Sequence, residues 1–334
     1  MPRRTTPLVL LALTLALALT GCGSEEDGLV LYNAQNGRLM GTLVDAFTEE
    51  TGIEVAVRNG GDTELGNQLV TEGGKSPADV FTTENSTAMA MVDRAGLFAP
   101  LEPAALSGVA PQNVADDRDW VGVAARTTVM VYNTDLVKES ELPASMLDLD
   151  QPQYEGTFGY APSGADFQAI ASAVYAAEGE EAGQAFVDGL AANGKQYANN
   201  IAILKAVNSG EIPTGIIYHY YWFQDQADTG DDSDKAALHY FDNQDPGGYL
   251  SVAGAGVLAS SERQADAQRF VAFLTSKKGQ QVLSESNDFQ YAINNDVPSN
   301  PALKPLTELD PPVVPLGKLD GPKTLDAFRE AGIL

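Results

Sequence analysis

The order of patterns along the chain predicts an α/β fold with two lobes. Three observations carry that expectation. From Leu29 onward, β-rich runs alternate with amphipathic helical runs, the mark of βαβ units and of a parallel sheet under helical cover. The chain has 334 residues, and the roughly 310 beyond a leader exceed one comfortable hydrophobic core. Two long β-rich stretches, 120–133 and 247–259, fall where strands would cross between lobes.

The elements follow in order. "LVLYNAQ", Leu29 to Gln35, reads as a strand. In "RLMGTLVDAFTEETG", Leu39, Leu43 and Phe47 recur every four residues, with Met40 and Val44 beside them. That is one face of a helix, and Gly52 is its stop. "IEVAV" alternates as a strand should. "ELGNQLVTEG" is a helix, "ADVFTTE" a strand, and "TAMAMVDRAGLF" a helix ending at Gly96. Trp120 to Asn133 is a long strand. "TFGYAPSG" is a strand and "ADFQAIASAVYAAEG" a helix. "GQAFVDGLAANG" and "IAILKAVNSG" are helices with glycine stops, and "IPTGIIYHYY" is a strand. "DTGDDSDK" is a solvated loop and "DPGGYLSVAGAGVLA" a glycine-rich strand pair. "ADAQRFVAFLTSKKGQQVLSES" is helical, and "TLDAFREAGIL" closes the chain as a helix.

Composition narrows the function. The chain is 44% hydrophobic and 20% charged, ordinary for a soluble globular protein. Its net charge of −26 argues against nucleic-acid partners, which select a basic face. Arg3 and Arg4 followed by the apolar "LVLLALTLALALTGC" form a secretory signal pattern. Leu19-Thr20-Gly21-Cys22 is similar to a bacterial lipobox, so Cys22, the sole cysteine, reads as a lipidated mature N-terminus. Acylation tethers a domain to a membrane surface without making it span. The expected organisation is leader 1–21, tether 22–28, one lobe from 29–125 with 251–300, and a second from 126–250 with 301–334.

Ligands of open α/β sheets bind beyond the carboxyl ends of strands. Those ends deliver Asn36 after the first strand, Glu84 after the third, and Ser163-Gly164-Ala165 at a helix start. Asn199 and Asn200 precede another helix, and Tyr220 and Tyr221 follow a strand. Ser163-Gly164 reads either as a helix cap with Asp166 as its capping-box acid or as an anion site at a helix N-terminus. Asp166 would then fill that space or repel the anion. Adjacent tyrosines on a regular strand face opposite ways, so Tyr220 and Tyr221 converge only where the strand ends and a helix begins. Convergence would suit a hard, highly charged cation: two phenolates and Glu84 carry three negative charges, matching Fe³⁺. No cysteine is left for a zinc site, and His219 and His239 form no zinc pattern.

"LYNAQN", "FTEETGIEV", "GGKSPADVFTTE", "ARTTVMVYN", "GTFGYAPSGADF", "NGKQYANNIAILKAVNSGEIP", "YYW", "QDPGGYLSVAGAGVLA" and "FVAFLTSKKGQQ" together resemble the periplasmic ferric-iron-binding proteins of bacterial ABC importers. The resemblance covers nearly all of the chain beyond the leader. It implies the transferrin-like, type II periplasmic binding fold, with two lobes closing on Fe³⁺ and a synergistic anion, phosphate or carbonate. It places metal ligands at Glu84, Tyr220 and Tyr221. It places anion contacts at Ser163, Gly164, Ala165 and Asn200, with Arg126 beside the anion. Many members have a histidine ligand where this chain has Asn36, a neutral and weaker donor that stays a further candidate metal ligand, with His219 a second candidate for the missing histidine. Asparagines are frequent where it has Tyr218 and His219, and His219 is expected to point away from Tyr220. The resemblance further implies a permease partner, a monomer anchored outside the cytoplasmic membrane, and no enzymatic activity. Two other readings stand beside it. One is a binding protein for a small anion or iron chelate held by Ser163, Arg126 and Asn200. The other is a secreted hydrolase using Ser163, for which neither His219 nor His239 offers a recognisable triad.

Overall fold

The computed structural model describes residues 28–334. The leader at 1–21, the lipidation site Cys22 and tether residues 22–27 lie outside the described residues. Among the described residues no helix is long and apolar enough to cross a membrane.

The chain opens with β1 (Leu29–Asn33), α1 (Gly37–Thr51) and β2 (Val55–Asn59). α1 buries the face formed by Leu39, Met40, Leu43, Val44 and Phe47. It stops at Gly52, whose φ of 71° is left-handed and whose N–H returns to the Thr48 carbonyl, a conformation glycine takes without a side-chain clash. Next come α2 (Asp62–Glu72), β3 (Val80–Thr82), α3 (Ser86–Arg94) and the single turn α4 (Pro103–Leu106). The long strand β4 (Trp120–Asn133) is buried throughout. β5 (Phe158–Tyr160), α5 (Ala165–Glu178), α6 (Glu180–Asn193) and β6 (Lys195–Gln196) follow. Then come α7 (Asn200–Asn208), β7 (Thr214–Tyr218), α8 (Tyr220–Asp228) and β8 (Ala236–His239). The chain ends with β9 (Leu250–Val257), α9 (Gln264–Thr275), α10 (Lys277–Glu285) and α11 (Gly321–Glu330).

The strands run in the order β2-β1-β3-β9-β4-β7-β5-β6, with β8 also on β4. β1 is parallel to β2 and β3, and β5 is parallel to β6 and β7. β9 runs antiparallel between β3 and β4. β4 joins the two halves: Trp120 to Thr127 pair with β9, and Thr128 to Asn133 pair with β7 and β8. Its side chains change hydrophobic cluster at the same place. Val121, Val123 and Ala124 pack with α1 and α9, whereas Ala125 and Met130 pack with α5, α6 and the end of α11.

Three expectations need correcting. The 245–259 strand pair is one strand, β9, after a 3₁₀ turn at Pro246–Gly248. β9 has a neighbour on each side, and its glycines let other chains approach: a side-chain carbon at Gly256 would lie 2.7 Å from the Phe98 ring. The helical run after 264 is two helices, because Ser276 turns extended (ψ 162°) and caps the Gly279 N–H. The strand expected to reach Tyr221 ends at Tyr218. The short β6 and β8 gave no pattern long enough to read.

Candidate metal centre

The site forms where β3, β7 and the N-terminal turns of α2, α5 and α7 meet. Glu84 follows β3, and its backbone N–H donates to Asp62 Oδ1 at 2.9 Å. Asp62, buried in the first turn of α2, also accepts from the Asn85 backbone at 3.1 Å and from Asn85 Nδ2 at 2.9 Å. The same amide nitrogen donates to Asp166 Oδ1 at 3.1 Å. On its other oxygen Asp166 accepts from Asn200 Nδ2 at 2.8 Å and from the Tyr221 hydroxyl at 2.9 Å. One buried network therefore ties Asp62 on one side of the site to Tyr221 on the other.

The break between β7 and α8 decides the geometry of the tyrosines. Because the pleat ends at Tyr218 and the helix starts at Tyr220, neighbouring side chains are freed from alternation. The Tyr220 and Tyr221 rings stack with centroids 4.2 Å apart. Tyr218, fully buried, stacks against Tyr220 at 6.3 Å, and its hydroxyl lies 3.4 Å from both Asn85 Oδ1 and the Asp166 carbonyl. Arg126, from the middle of β4, is also fully buried. Its guanidinium lies 5.2 Å from the Tyr218 ring centroid, and none of its three nitrogens meets a protein acceptor.

Electrostatics follow from burial. Glu84 is pushed up to about 8, first by burial and then by Asp166. Asp62 rises to about 6 through burial, against the pull of its Asn85 hydrogen bond and of Arg126. Tyr220 and Tyr221 are raised by burial and by the charges of Asp166 and Glu84. Burial works against the Arg126 charge, but the acidic groups around it, Glu84 first, outweigh that and raise its pKa. Acidic oxygens thus crowd around a buried arginine, and burial pushes Glu84 and the two phenols toward their protonated forms.

The sequence-predicted residues divide. Glu84, Tyr220, Tyr221, Asn200 and Arg126 come together around Asp166. Asn36 instead caps α1, its Oδ1 accepting from the N–H groups of Arg38 and Leu39. Ser163 is exposed. Gly164, not Ser163, is the N-cap of α5, with Ala165 as the first helical residue. The capping-box reading of Asp166 is therefore corrected: its carboxylate faces Asn85, Asn200 and Tyr221 instead of its own helix start. His219 lies past the end of β7 and is engaged by backbone groups of Thr127 and Phe289. It accepts from the Thr127 N–H at Nδ1 (3.3 Å), so Nε2 carries the proton and donates to the Phe289 carbonyl at 2.9 Å. Burial holds its pKa down to about 3. Sequence reasoning missed Asp62, Asn85 and Asp288. Asn85 was adjacent to Glu84, and Asp62 stood at a helix start, where an acid is ordinary. Asp288, whose charge also acts on Glu84, lies in a loop without a pattern. Among the described residues no three His, Cys, Asp or Glu side chains are placed as a metal site.

Residues 75–308 match the family model of bacterial extracellular solute-binding proteins. The chain belongs to that family. This solute-binding protein is 48% identical to the Fe(3+)-binding periplasmic protein of Serratia marcescens over 98% of its own length and 97% of the relative's. It is 35% identical to the major ferric iron-binding protein of Neisseria meningitidis, over 90% of this chain and 91% of that one. Its fold matches the crystal structure of iron-bound HitA from Pseudomonas aeruginosa with a TM-score of 0.85 and 40% identity, over 91% of this chain and 99% of that one. The two-lobed architecture of these ferric-binding proteins is therefore the fold of this solute-binding protein.

Proposed function

We propose that this chain captures ferric iron outside the cytoplasmic membrane and passes it to an ABC importer. The observation that carries the reading is that the Tyr221 hydroxyl donates to Asp166 and its ring stacks on Tyr220, with the Glu84 carboxyl close enough to act electrostatically on both tyrosines. Hard oxygen donors with several ionisable protons suit a trivalent cation. Glu84, Tyr220 and Tyr221 are the proposed ligands, and Asn36 serves as a helix cap. The names of the relatives, "Fe(3+)-binding" and "iron-bound", support the same cargo.

Asp166 bears on the anion. Asn200 donates to its carboxylate, and Arg126 is held protonated partly by its charge. We propose that Asp166 does the work expected of a phosphate or carbonate held by Ser163, Gly164, Ala165, Asn200 and Arg126. The lobes, 29–125 with 251–300 and 126–250 with 301–334, close on the ion as rigid bodies. Lipidation at Cys22 keeps the monomer on the outer side of the cytoplasmic membrane beside its permease.

A thermal-shift series tests this reading. Ferric ion is expected to raise the melting temperature equally with and without phosphate, and Asp166→Asn should make the rise depend on phosphate. The unpartnered Arg126 nitrogens favour one competing reading, capture of a small anion or an iron chelate. Stabilisation by such a ligand with no response to free ferric ion would establish that instead. A hydrolase reading finds no support in the geometry: Ser163 is exposed and both His219 ring nitrogens are engaged.

A further inference from the structure

Between α10 and the C-terminal stretch, residues 288–291 run beside the point where β4 changes partners. Tyr291 and Ala125 exchange both backbone hydrogen bonds, at 2.8 and 3.0 Å. This short segment is tied to both halves of the molecule. Toward the first, Asp288 pairs with Arg38 of α1 at 2.8 Å, and its side chain is only 3% exposed. The Gln290 and Gln35 side-chain amides face each other at 3.3 and 3.4 Å, and Gln35 Oε1 accepts the Asn36 N–H at 2.7 Å. Toward the second, the Phe289 carbonyl accepts from His219 Nε2 at 2.9 Å and the Asp288 carbonyl from Gln224 Nε2 at 3.3 Å. The Phe289 ring stacks on Phe223 of α8 at 5.7 Å, and Tyr291 lies against the His219 ring at 4.9 Å.

Two features show that this arrangement is held under constraint. Phe289 has φ 50°, a left-handed conformation that a bulky residue adopts only where surrounding contacts over-determine it. His219 has both ring nitrogens fixed, one by Thr127 of β4 and one by Phe289. His219 immediately precedes Tyr220, at the break from β7 into α8. Whatever fixes its ring fixes where the helix carrying both tyrosines begins.

We propose that His219 is a positioning residue for Tyr220 and Tyr221, locked by the 288–291 segment, and that this lock sets how tightly bound metal is retained. The inference rests on the ferric reading above. It adds a connection between the halves, beside β4 and the Asn85–Asp166 contact, that touches both the turn after β1 and the tyrosine helix. Loss of the His219–Phe289 bond removes no proposed ligand but lets the start of α8, and with it Tyr220 and Tyr221, shift. Release is then faster and the phenolates meet the metal differently.

The test uses the full protein loaded with ferric ion, followed by the visible phenolate-to-iron band and by release to excess chelator. His219→Phe keeps a ring but loses both hydrogen bonds. It is expected to move the band maximum and to speed release at least about tenfold, the weight of the lost Phe289 hydrogen bond alone. His219→Gln, which still presents an N–H to the Phe289 carbonyl, should restore release toward the wild-type rate. Phe289→Ala, which removes the ring stacked on Phe223, should speed release in the same direction and gives an independent reading if His219→Phe does not fold. A lower melting temperature with unchanged band and release rate in these variants would show a merely structural role and overturn the proposal. A wild-type protein that gives no band with ferric ion would instead overturn the ferric reading, and this inference with it.

Discussion

At Tyr221 a phenol in the first turn of α8 donates to Asp166 while stacking on Tyr220. Removing its oxygen deletes a proposed ligand and leaves the stacking ring. Tyr221→Phe is therefore expected to fold normally yet lower ferric affinity by at least about a hundredfold, measured by competition with a chelator. Protons compete with the metal for each such oxygen, so iron retention should weaken as pH falls; equal retention at neutral and mildly acidic pH would count against phenolate ligation. A second residue makes a separate statement about stability. Asp119 is pushed up to about 7, by burial first and then by its neighbour Asp93. The folded state thus holds a proton that the unfolded chain releases near pH 4. That stabilisation is fully present below the unfolded pKa and is lost as pH rises through about 7. Asp119→Asn should flatten this fall in stability, as read by denaturant melts across the range.

Among the elements, helices with a clear apolar face were legible and the breaks between elements were not. α1 could be read because Leu39, Leu43 and Phe47 repeat on one face and Gly52 stops it. Phe47 sits edge-on to Phe270 and Phe273, with centroids 5.0 and 5.5 Å away. Phe47→Ala is expected to cost about 3–5 kcal/mol in a chemical melt. Gly52→Ala should cost about 1 kcal/mol, because alanine resists the left-handed conformation there. The break at Ser276 was hidden because helical periodicity continues across it. Glu84 and the tyrosine pair could be picked out because they stand at strand ends. The part played by Asp166 could not, because its partners Asn85, Asn200 and Tyr221 lie far apart in the chain and only packing brings them together.

For the whole molecule, β4 carries the two halves and its change of partners at Thr127–Thr128 lies beside the site. Arg126 stands at that junction, so the buried charge and the change of partners share a location. The long β-rich run from Trp120 to Asn133 made this strand visible in the sequence. The return connection at 288–291 was not visible, since it lacks any periodic pattern. Movement of one half against the other should accompany metal binding, and small-angle scattering should record a smaller radius of gyration for the ferric form than for the metal-free protein. The most direct measurement is a visible-light titration of metal-free protein with ferric ion. The expected result is a phenolate-to-iron band that saturates at a single ion per chain and is lost when Tyr220 and Tyr221 are both changed to Phe. A colourless wild-type mixture, or a band unchanged in that double variant, would contradict the proposed ferric site.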